Sequence, residues 1–384
     1  MENNNKPEVH YVKLKNNDVQ NFIDLIKNNL NSTPFINHKF KILHENDYVL
    51  FPIIKNQVLR DRVIKIINKQ INLEFISKKG QMNEYYKYKT LQEALEGKLP
   101  DKYLNIIPKS YDIIGHIVVI EFDKFNHIND KDFKNYKEEV AKAILFVNKN
   151  VKTVYEKKSQ IKGKYRLRKL ALLYGEDKSE TIHKENGCNF KLDIKKTYFS
   201  PRLVFERRRI ASSEIKENAL IVDMFAGVGT FAIQIAKNRN VKIYAFDFNP
   251  DAYKYLKENI IINKLKGEII PYKIDVKDLL KPANRIGQSL LHKIDRIIMN
   301  LPENSIEFIR EACFLMKKSG GVLHFYQFSE KPKPIEKTLK ILEENLSNLN
   351  WEIENVINSK KVKHYSPRSD LIVVDLKIKS LNRS

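Results

Sequence analysis

From residue 219 onward the chain repeats one pattern, in which short apolar runs alternate with stretches of helical periodicity. Strands are expected at 219–224, 242–246, near Ile269, at 296–299 and at 322–328, with helices at 231–238, 250–263, 305–318 and 334–346. A parallel pair of strands needs a crossover long enough for a helix, so this alternation predicts a parallel sheet covered on both faces. Two last runs, 351–361 and 371–378, flank a turn containing Pro367 and predict an antiparallel hairpin that closes the sheet. Ser200 and Pro201 open the domain as N-cap and first helical residue, since proline at that position forfeits no helical hydrogen bond. The third domain is therefore 200–384.

Upstream, a strand at 11–14, an amphipathic helix at 19–30, a strand at 48–53 and a helix at 58–71 describe a small α/β module spanning 1–77. A Lys-, Tyr- and Gln-rich stretch from 78 to 109 carries a short helix at 91–99 and two prolines, Pro100 and Pro108, and reads as a connector. Beyond it lie a β-rich run at 113–120, a helix at 136–147 and a strand at 151–156. Alternating residues on both sides of Asn186-Gly187 predict a hairpin, because both turn positions need positive φ. These elements make a mixed, mostly antiparallel middle domain within 78–199.

Three motifs carry chemistry. Asp223-Met224-Phe225-Ala226-Gly227-Val228-Gly229 lies between an apolar strand and a helix, with Asp247 ending the next strand. Glycines there let a ligand approach the backbone, and Asp247 suits the ribose hydroxyls of NAD or of S-adenosylmethionine. Asp223 favours the second, since a carboxylate at the strand end attracts an ammonium or sulfonium cation and repels a pyrophosphate. Asn300-Leu301-Pro302 ends the fourth strand of the domain, where ligands of open α/β sheets bind; Asp275 follows the third, placed for an adenine amine or merely for a helix cap. The third motif is basic and aromatic: Lys164-Tyr165-Arg166-Leu167-Arg168, then Tyr198-Phe199-Ser200-Pro201-Arg202 and Glu206-Arg207-Arg208-Arg209. Such interleaving suits phosphate contacts and base stacking, although Glu206 by itself reads as a helix-face ion pair.

Charge agrees with a nucleic-acid partner: Lys and Arg number 69 against 47 Asp and Glu, a formal excess of +22. A Lys- and Asn-rich composition alone is equally well explained by nucleotide bias, so the motifs decide. Cys188 and Cys313, the only cysteines, have no metal-ligand spacing, which points to no zinc site and to a reducing cytoplasm. No apolar run is long enough for a membrane span, and residues 1–10 show no signal-peptide pattern.

Taken in order, Thr181 to Gly187, Tyr198 to Arg202 with Glu206-Arg207, Val222 to Gly229, Asn300 to Pro302 and Tyr365-Ser366-Pro367-Arg368 resemble the tRNA (guanine37-N1)-methyltransferases of archaea and eukaryotes. The likeness covers nearly the whole chain. It implies a class I, Rossmann-like S-adenosylmethionine methyltransferase domain preceded by two RNA-binding domains, the first for the tRNA elbow. It also implies Glu206 as general base, Arg166 on the guanine O6, and Asn300 orienting the base. Tyr198, Arg202, Asp223, Phe225, Gly227, Gly229, Asp247, Phe248, Asp275, Asn300 and Pro302 would surround the methyl donor. Lys164, Arg166, Arg168, Arg207 and Tyr365 would touch RNA, and the protein would act as a monomer without a protein partner. Val204-Phe205 stands where relatives carry two glycines before the glutamate. The alternatives are a wybutosine-pathway transferase acting at the same tRNA position, a non-catalytic RNA-binding protein, and an NAD-dependent oxidoreductase.

Overall fold

The structure, a computed structural model, describes residues 7–29, 35–67, 71–122 and 130–381. It divides into two units, Met1–Thr90 and Leu91–Ser384.

In the first unit, β1 (Glu8–Lys15), β2 (Leu43–Glu45), β3 (Tyr48–Pro52) and β4 (Glu74–Lys79) form an antiparallel sheet in the order β2-β3-β1-β4. Helices α1 (Val19–Asn29) and α2 (Gln57–Ile67) bury Phe22, Val63 and Ile67 against Val12 and Leu14 of β1. The boundary drawn after Ser77 cuts β4, whose Lys79 still pairs with Glu8. Residue 30 and residues 68–70, placed in the two helices by periodicity, lie outside the described residues.

The second unit opens with α3 (Leu91–Leu95) and α4 (Asp101–Leu104). A sheet in the order β5 (Asp112–Ile114), β6 (Ile117–Ile120), β7 (Thr153–Lys157), β8 (Leu170–Gly175) follows, with α5 (Asp130–Val147) crossing between the parallel pair β6 and β7. The run 113–120 is two strands, because the chain reverses at Gly115, where φ is +58° and a Cβ would strike Thr181 and Ile182. No strand was expected at β8, whose Leu172 and Tyr174 are exposed and so give no apolar alternation.

β9 (Glu180–Glu185) and β10 (Cys188–Asp193) form the expected hairpin, with Asn186 and Gly187 at φ 47° and 75°. Its place differs from the expected one. Asn259 accepts from the Lys191 N–H and donates to the Lys191 and Val228 carbonyls, and Asn263 brackets Asn189 in the same way. Those side-chain amides act as a strand edge, so the hairpin packs on the third domain, and the boundary at 199/200 does not separate them.

The remaining elements are α6 (Val204–Ser212), β11 (Leu220–Asp223), α7 (Thr230–Asn238), β12 (Lys242–Asp247), α8 (Pro250–Ile262), β13 (Glu268–Lys273), α9 (Arg285–Leu290), β14 (Arg296–Met299), α10 (Ile309–Leu315), β15 (Gly321–Glu330), α11 (Pro334–Ser347), β16 (Trp351–Ser366) and β17 (Ser369–Ser380). Their sheet runs β13-β12-β11-β14-β15-β17-β16, parallel through β15 and closed by the antiparallel hairpin. One apolar layer buries Ile210, Ile233 and Leu256 on the α6–α8 face; the other buries Ala312 and Leu342 beneath α10 and α11. Ser200 makes no side-chain cap bond, because Pro201–Leu203 is a 3-10 turn that precedes α6. The helix expected at 305–318 likewise begins as a 3-10 turn, Ser305–Phe308. The chain winds outward from β11 to β13 and returns at β14, which opens a crevice beyond the strand ends.

Candidate active site

At that crevice β11 ends in Asp223 and α7 starts seven residues later, which forces the tight loop through Gly227 and Gly229 at φ +56° and +92°. A Cβ on Gly229 would lie 2.6 Å from Leu256, so this glycine serves α7–α8 packing. A Cβ on Gly227 would meet nothing within 4 Å, and its N–H donates to Asp247 Oδ2 at 2.8 Å. That glycine keeps the floor of a cleft open.

The cleft, of roughly 330 Å³, is lined by Lys164, Arg166, Tyr198, Phe225, Gly227, Asp247, Phe248, Asp275 and Asn300. Sequence reasoning named these residues; it missed Met224, Ile274, Lys277, Glu303 and Phe308, which also line it. Phe308 sits edge-on to Phe225 at 5.0 Å and Lys277 lies over its ring, so two residues outside any motif complete an aromatic slot. Their only sequence signal is that they follow the ends of adjacent strands.

Several polar atoms here have no hydrogen-bond partner: both carboxylate oxygens of Asp223, Oδ1 of Asn300 and Nε of Arg166. Asp223 is 1% exposed and does not itself line the cleft, where its neighbour Met224 does; burial, opposed by the Phe225 and Ala232 N–H groups and helped by the nearby Asp247, pushes its carboxyl up to about 7. Burial likewise raises Asp247 to about 6, against the N–H groups of Asn249 and Gly227 that favour its charge. Asp275 lines the cleft and also caps the next turn by accepting from Lys277 N–H. Arg166 is aimed by a small loop: Lys162 bridges Leu167, Arg166 N–H returns to the Gly163 carbonyl, and Arg166 itself takes φ +56°. Its guanidinium lies 4.8 Å from the Tyr198 ring centre and 3.3 Å from Glu303.

Other expected contacts fall elsewhere. Arg202 does not reach the donor cleft: its Nε donates to Asp112 at 2.6 Å, and it lines a second cleft with Arg168, Lys363 and Tyr365. Pro302 does not line the first cleft either; its carbonyl accepts from Phe328 N–H and fixes the loop to β15. Arg207, expected at the RNA, is 2% exposed and clamped to Glu185, which also accepts from Gln234.

Glu206, 3% exposed, lines neither cleft. The α6 helix turns it toward the sheet, where it accepts from Arg209, from Tyr326 Oη at 3.3 Å and from Lys360 at 2.5 Å. On this face three rungs cross β15, β17 and β16: His324, Asp375 and Asn358; Tyr326, Val373 and Lys360; Phe328, Leu371 and Lys363. Phe328 and Lys363 line the second cleft, so Glu206 sits one rung below it. Below again, Arg209 bridges to Asp375, which His324 Nδ1 also meets at 2.6 Å, while Arg296 stands 2.7 Å from His324 Nε2. Arg296 can only donate, which assigns the ring proton to Nδ1. Burial opposes charge on Asp375, yet His324 and Arg209 hold it well below the carboxylate range. Phe205, in place of a glycine, is 78% exposed and takes no part in either cleft.

A tRNA (guanine(37)-N(1))-methyltransferase of Pyrococcus abyssi, Trm5b, is 34% identical over 92% of this chain and 96% of its own. The chain belongs to the TRM5/TYW2 family. The family's methyltransferase domain matches residues 181–354, starting with the hairpin, and the TYW2 N-terminal domain matches 91–178. TRM5/TYW2 members of a second activity are also similar. The tRNA(Phe) (4-demethylwyosine(37)-C(7)) aminocarboxypropyltransferase of Pyrococcus horikoshii is 32% identical over 75% of this chain and 96% of its own. Among solved structures of the family, the complex of aTrm5 and tRNALeu superposes with a TM-score of 0.71 at 33% identity, covering 96% of this chain and 99% of that one. The second unit thus has the class I methyltransferase fold of this family.

Proposed function

We propose that this protein transfers the methyl group of S-adenosylmethionine to N1 of guanosine 37 in tRNA, acting as a monomer in the cytoplasm. The observation that carries the reading is that two residues lining the donor cleft keep unmatched polar atoms, Arg166 Nε and Asn300 Oδ1. With N1 directed at a donor, guanine presents an acceptor, O6, on one side and a donor, the 2-amino group, on the other; adenine presents neither in those places. A guanidinium N–H and an amide oxygen complement the first base only.

The cleft also suits the donor. Asp223, buried beneath the cleft beside Met224, adds negative charge that favours a cation there, Asp247 is assigned the ribose hydroxyls, Gly227 leaves the backbone open, and Phe225 with Phe308 forms a slot for a flat ring. Bound there, S-adenosylmethionine supplies an electrophilic methyl on a sulfonium centre.

This chain's residues must then remove the N1 proton and hold charge at O6. Arg166 does the second. Glu206 is assigned the first, on condition that Lys360, the half-exposed member of its three partners, releases it. Glu303, already beside Arg166, is the competing acceptor.

A second reading, aminocarboxypropyl transfer, draws on the match to the TYW2 N-terminal domain. Against it, the transferase covers three quarters of this chain, the share that Leu91–Ser384 makes up, whereas the guanine-N1 relative also spans most of the first unit. The experiment is incubation with labelled S-adenosylmethionine and tRNA transcripts carrying guanosine or adenosine at position 37. Labelled 1-methylguanosine from the first alone is the expected product; label in the aminocarboxypropyl chain, or none on guanosine, overturns the proposal.

A further inference from the structure

The second cleft differs from the first in charge. Lys157, Arg166, Arg168, Arg202 and Lys363 line it, against two carboxylates, Asp112 and Glu121. Arg202 takes Asp112 at 2.6 Å, which leaves Lys157 with carboxylates no nearer than 3.6 and 3.7 Å. Among the described residues Arg168 and Lys363 have no carboxylate partner. Burial pushes both lysine ammoniums below their usual value, and Arg202 adds to it in each. Cations held together and partly out of water are costly unless an anion joins them.

The cleft has an aromatic side as well. Phe328 and Tyr365 stack with ring centres 3.7 Å apart, and Phe199 also lines the cleft. Arg166 and Tyr198 belong to both clefts, so an occupant of the second adjoins the reacting end of the first. An isolated phosphate would use the cations and leave the aromatic wall idle; a nucleotide linkage uses both.

We infer that the second cleft seats the phosphodiester adjoining the target nucleoside, clamped by Lys157, Arg168, Arg202 and Lys363. This rests on the tRNA reading and adds to it where the backbone is held and by which side chains. Recognition is then of a linkage as well as a base. Loss of a clamp residue falls on KM more than on kcat, because the phosphate is equally charged before and during transfer.

The test is a double-mutant cycle on the full chain. Wild type, Lys363→Gln and Lys157→Gln are each given tRNA with natural linkages or with one uncharged methylphosphonate on the 5′ or 3′ side of nucleotide 37. For wild type, one of the two substitutions is expected to raise KM about tenfold, the effect of one lost charge-assisted contact. Lys363→Gln should show that rise with natural tRNA and little further rise with the modified one. Its plot of log kcat/KM against log salt should be shallower by about 0.7, as for one single-strand phosphate contact. Effects that multiply independently, or a fall confined to kcat, would overturn the clamp, as would inorganic phosphate competing as well as a short oligonucleotide. Melting temperature and donor calorimetry of both variants separate misfolding from lost contact. Should wild type bind tRNA without making 1-methylguanosine, the methyl-transfer reading fails, while the same cycle run on dissociation constants still decides the clamp.

Discussion

The donor cleft and the charged ladder beneath α6 are both polar, and they are built in opposite ways. At the cleft, Asn300 and Arg166 on its lining and Asp223 beneath it keep buried side-chain atoms that no other side chain satisfies. In the ladder, Glu206, Arg209, Asp375 and His324 all meet a partner of the complementary kind. An unpaired buried polar group costs about 1–3 kcal/mol, and more when charged, so one that lines a cleft favours a ligand that supplies what is missing. Paired charges hold structure instead. The contrast separates Asp223, whose charge no cationic side chain neutralises, from Glu206, which must first lose a partner before it accepts a proton.

The sharpest way to break this contrast is to exchange carboxylates. Glu206→Gln is expected to slow single-turnover methyl transfer by about 10³-fold, within the range for loss of a general base, while donor and tRNA affinity persist. Glu303→Gln, in the open cleft, should leave the transfer step within a few fold. Rapid-quench kinetics of the two variants decides; the reverse ranking would hand the proton to Glu303 and leave Glu206 as a structural ion pair.

Next in size is the unpaired carboxylate. Asp223→Ala should weaken S-adenosylmethionine by about a hundredfold in calorimetry, the worth of roughly 2.7 kcal/mol for one charged contact. The pH dependence follows from the raised carboxyl of about 7. In the unfolded chain it ionises near about 4. Between those values the folded state binds more protons, so stability falls as pH rises and the full penalty is present above pH about 7. Without donor, wild type should therefore lose stability relative to Asp223→Asn from pH 5 to 8, as thermal melts would show. A parallel course for both proteins would mean that the carboxylate already has a partner.

Much of this was legible in the sequence, and the limits have physical causes. Period and turn chemistry reported the sheet order's raw material: the Asn186-Gly187 hairpin and the alternation after residue 219 are local signals. Where the hairpin docks was not, since Asn259 and Asn263 act on it from more than sixty residues away. Site residues on strand ends, such as Asp247, Asp275 and Asn300, came together because sheet topology places all strand ends at one edge. Helical residues fared worse. Arg202, Glu206 and Arg207 are near neighbours in sequence, yet the 3-10 turn at Pro201–Leu203 and the α6 helix after it send them to the second cleft, to Lys360 and to Glu185 respectively. Lys363 and Lys157 carried no motif at all, and only the pairing of β16 with β17 brings the former beside Phe328.

The smallest expected effect probes the ladder at its one loose end. Lys360 is the half-exposed partner of Glu206, its side chain 41% accessible, whereas Tyr326 is fully buried and Arg209 is also fixed by Asp375. A pair with one partner in water is worth no more than about 1 kcal/mol, so opening it costs a factor of about five in the population of free Glu206. Lys360→Met should therefore raise the single-turnover rate about threefold and lower stability by under about 1 kcal/mol, in contrast to Glu206→Gln. A rate that instead drops tenfold would mean that the ammonium holds the carboxylate in its working position, and the ladder would then belong to the catalytic apparatus.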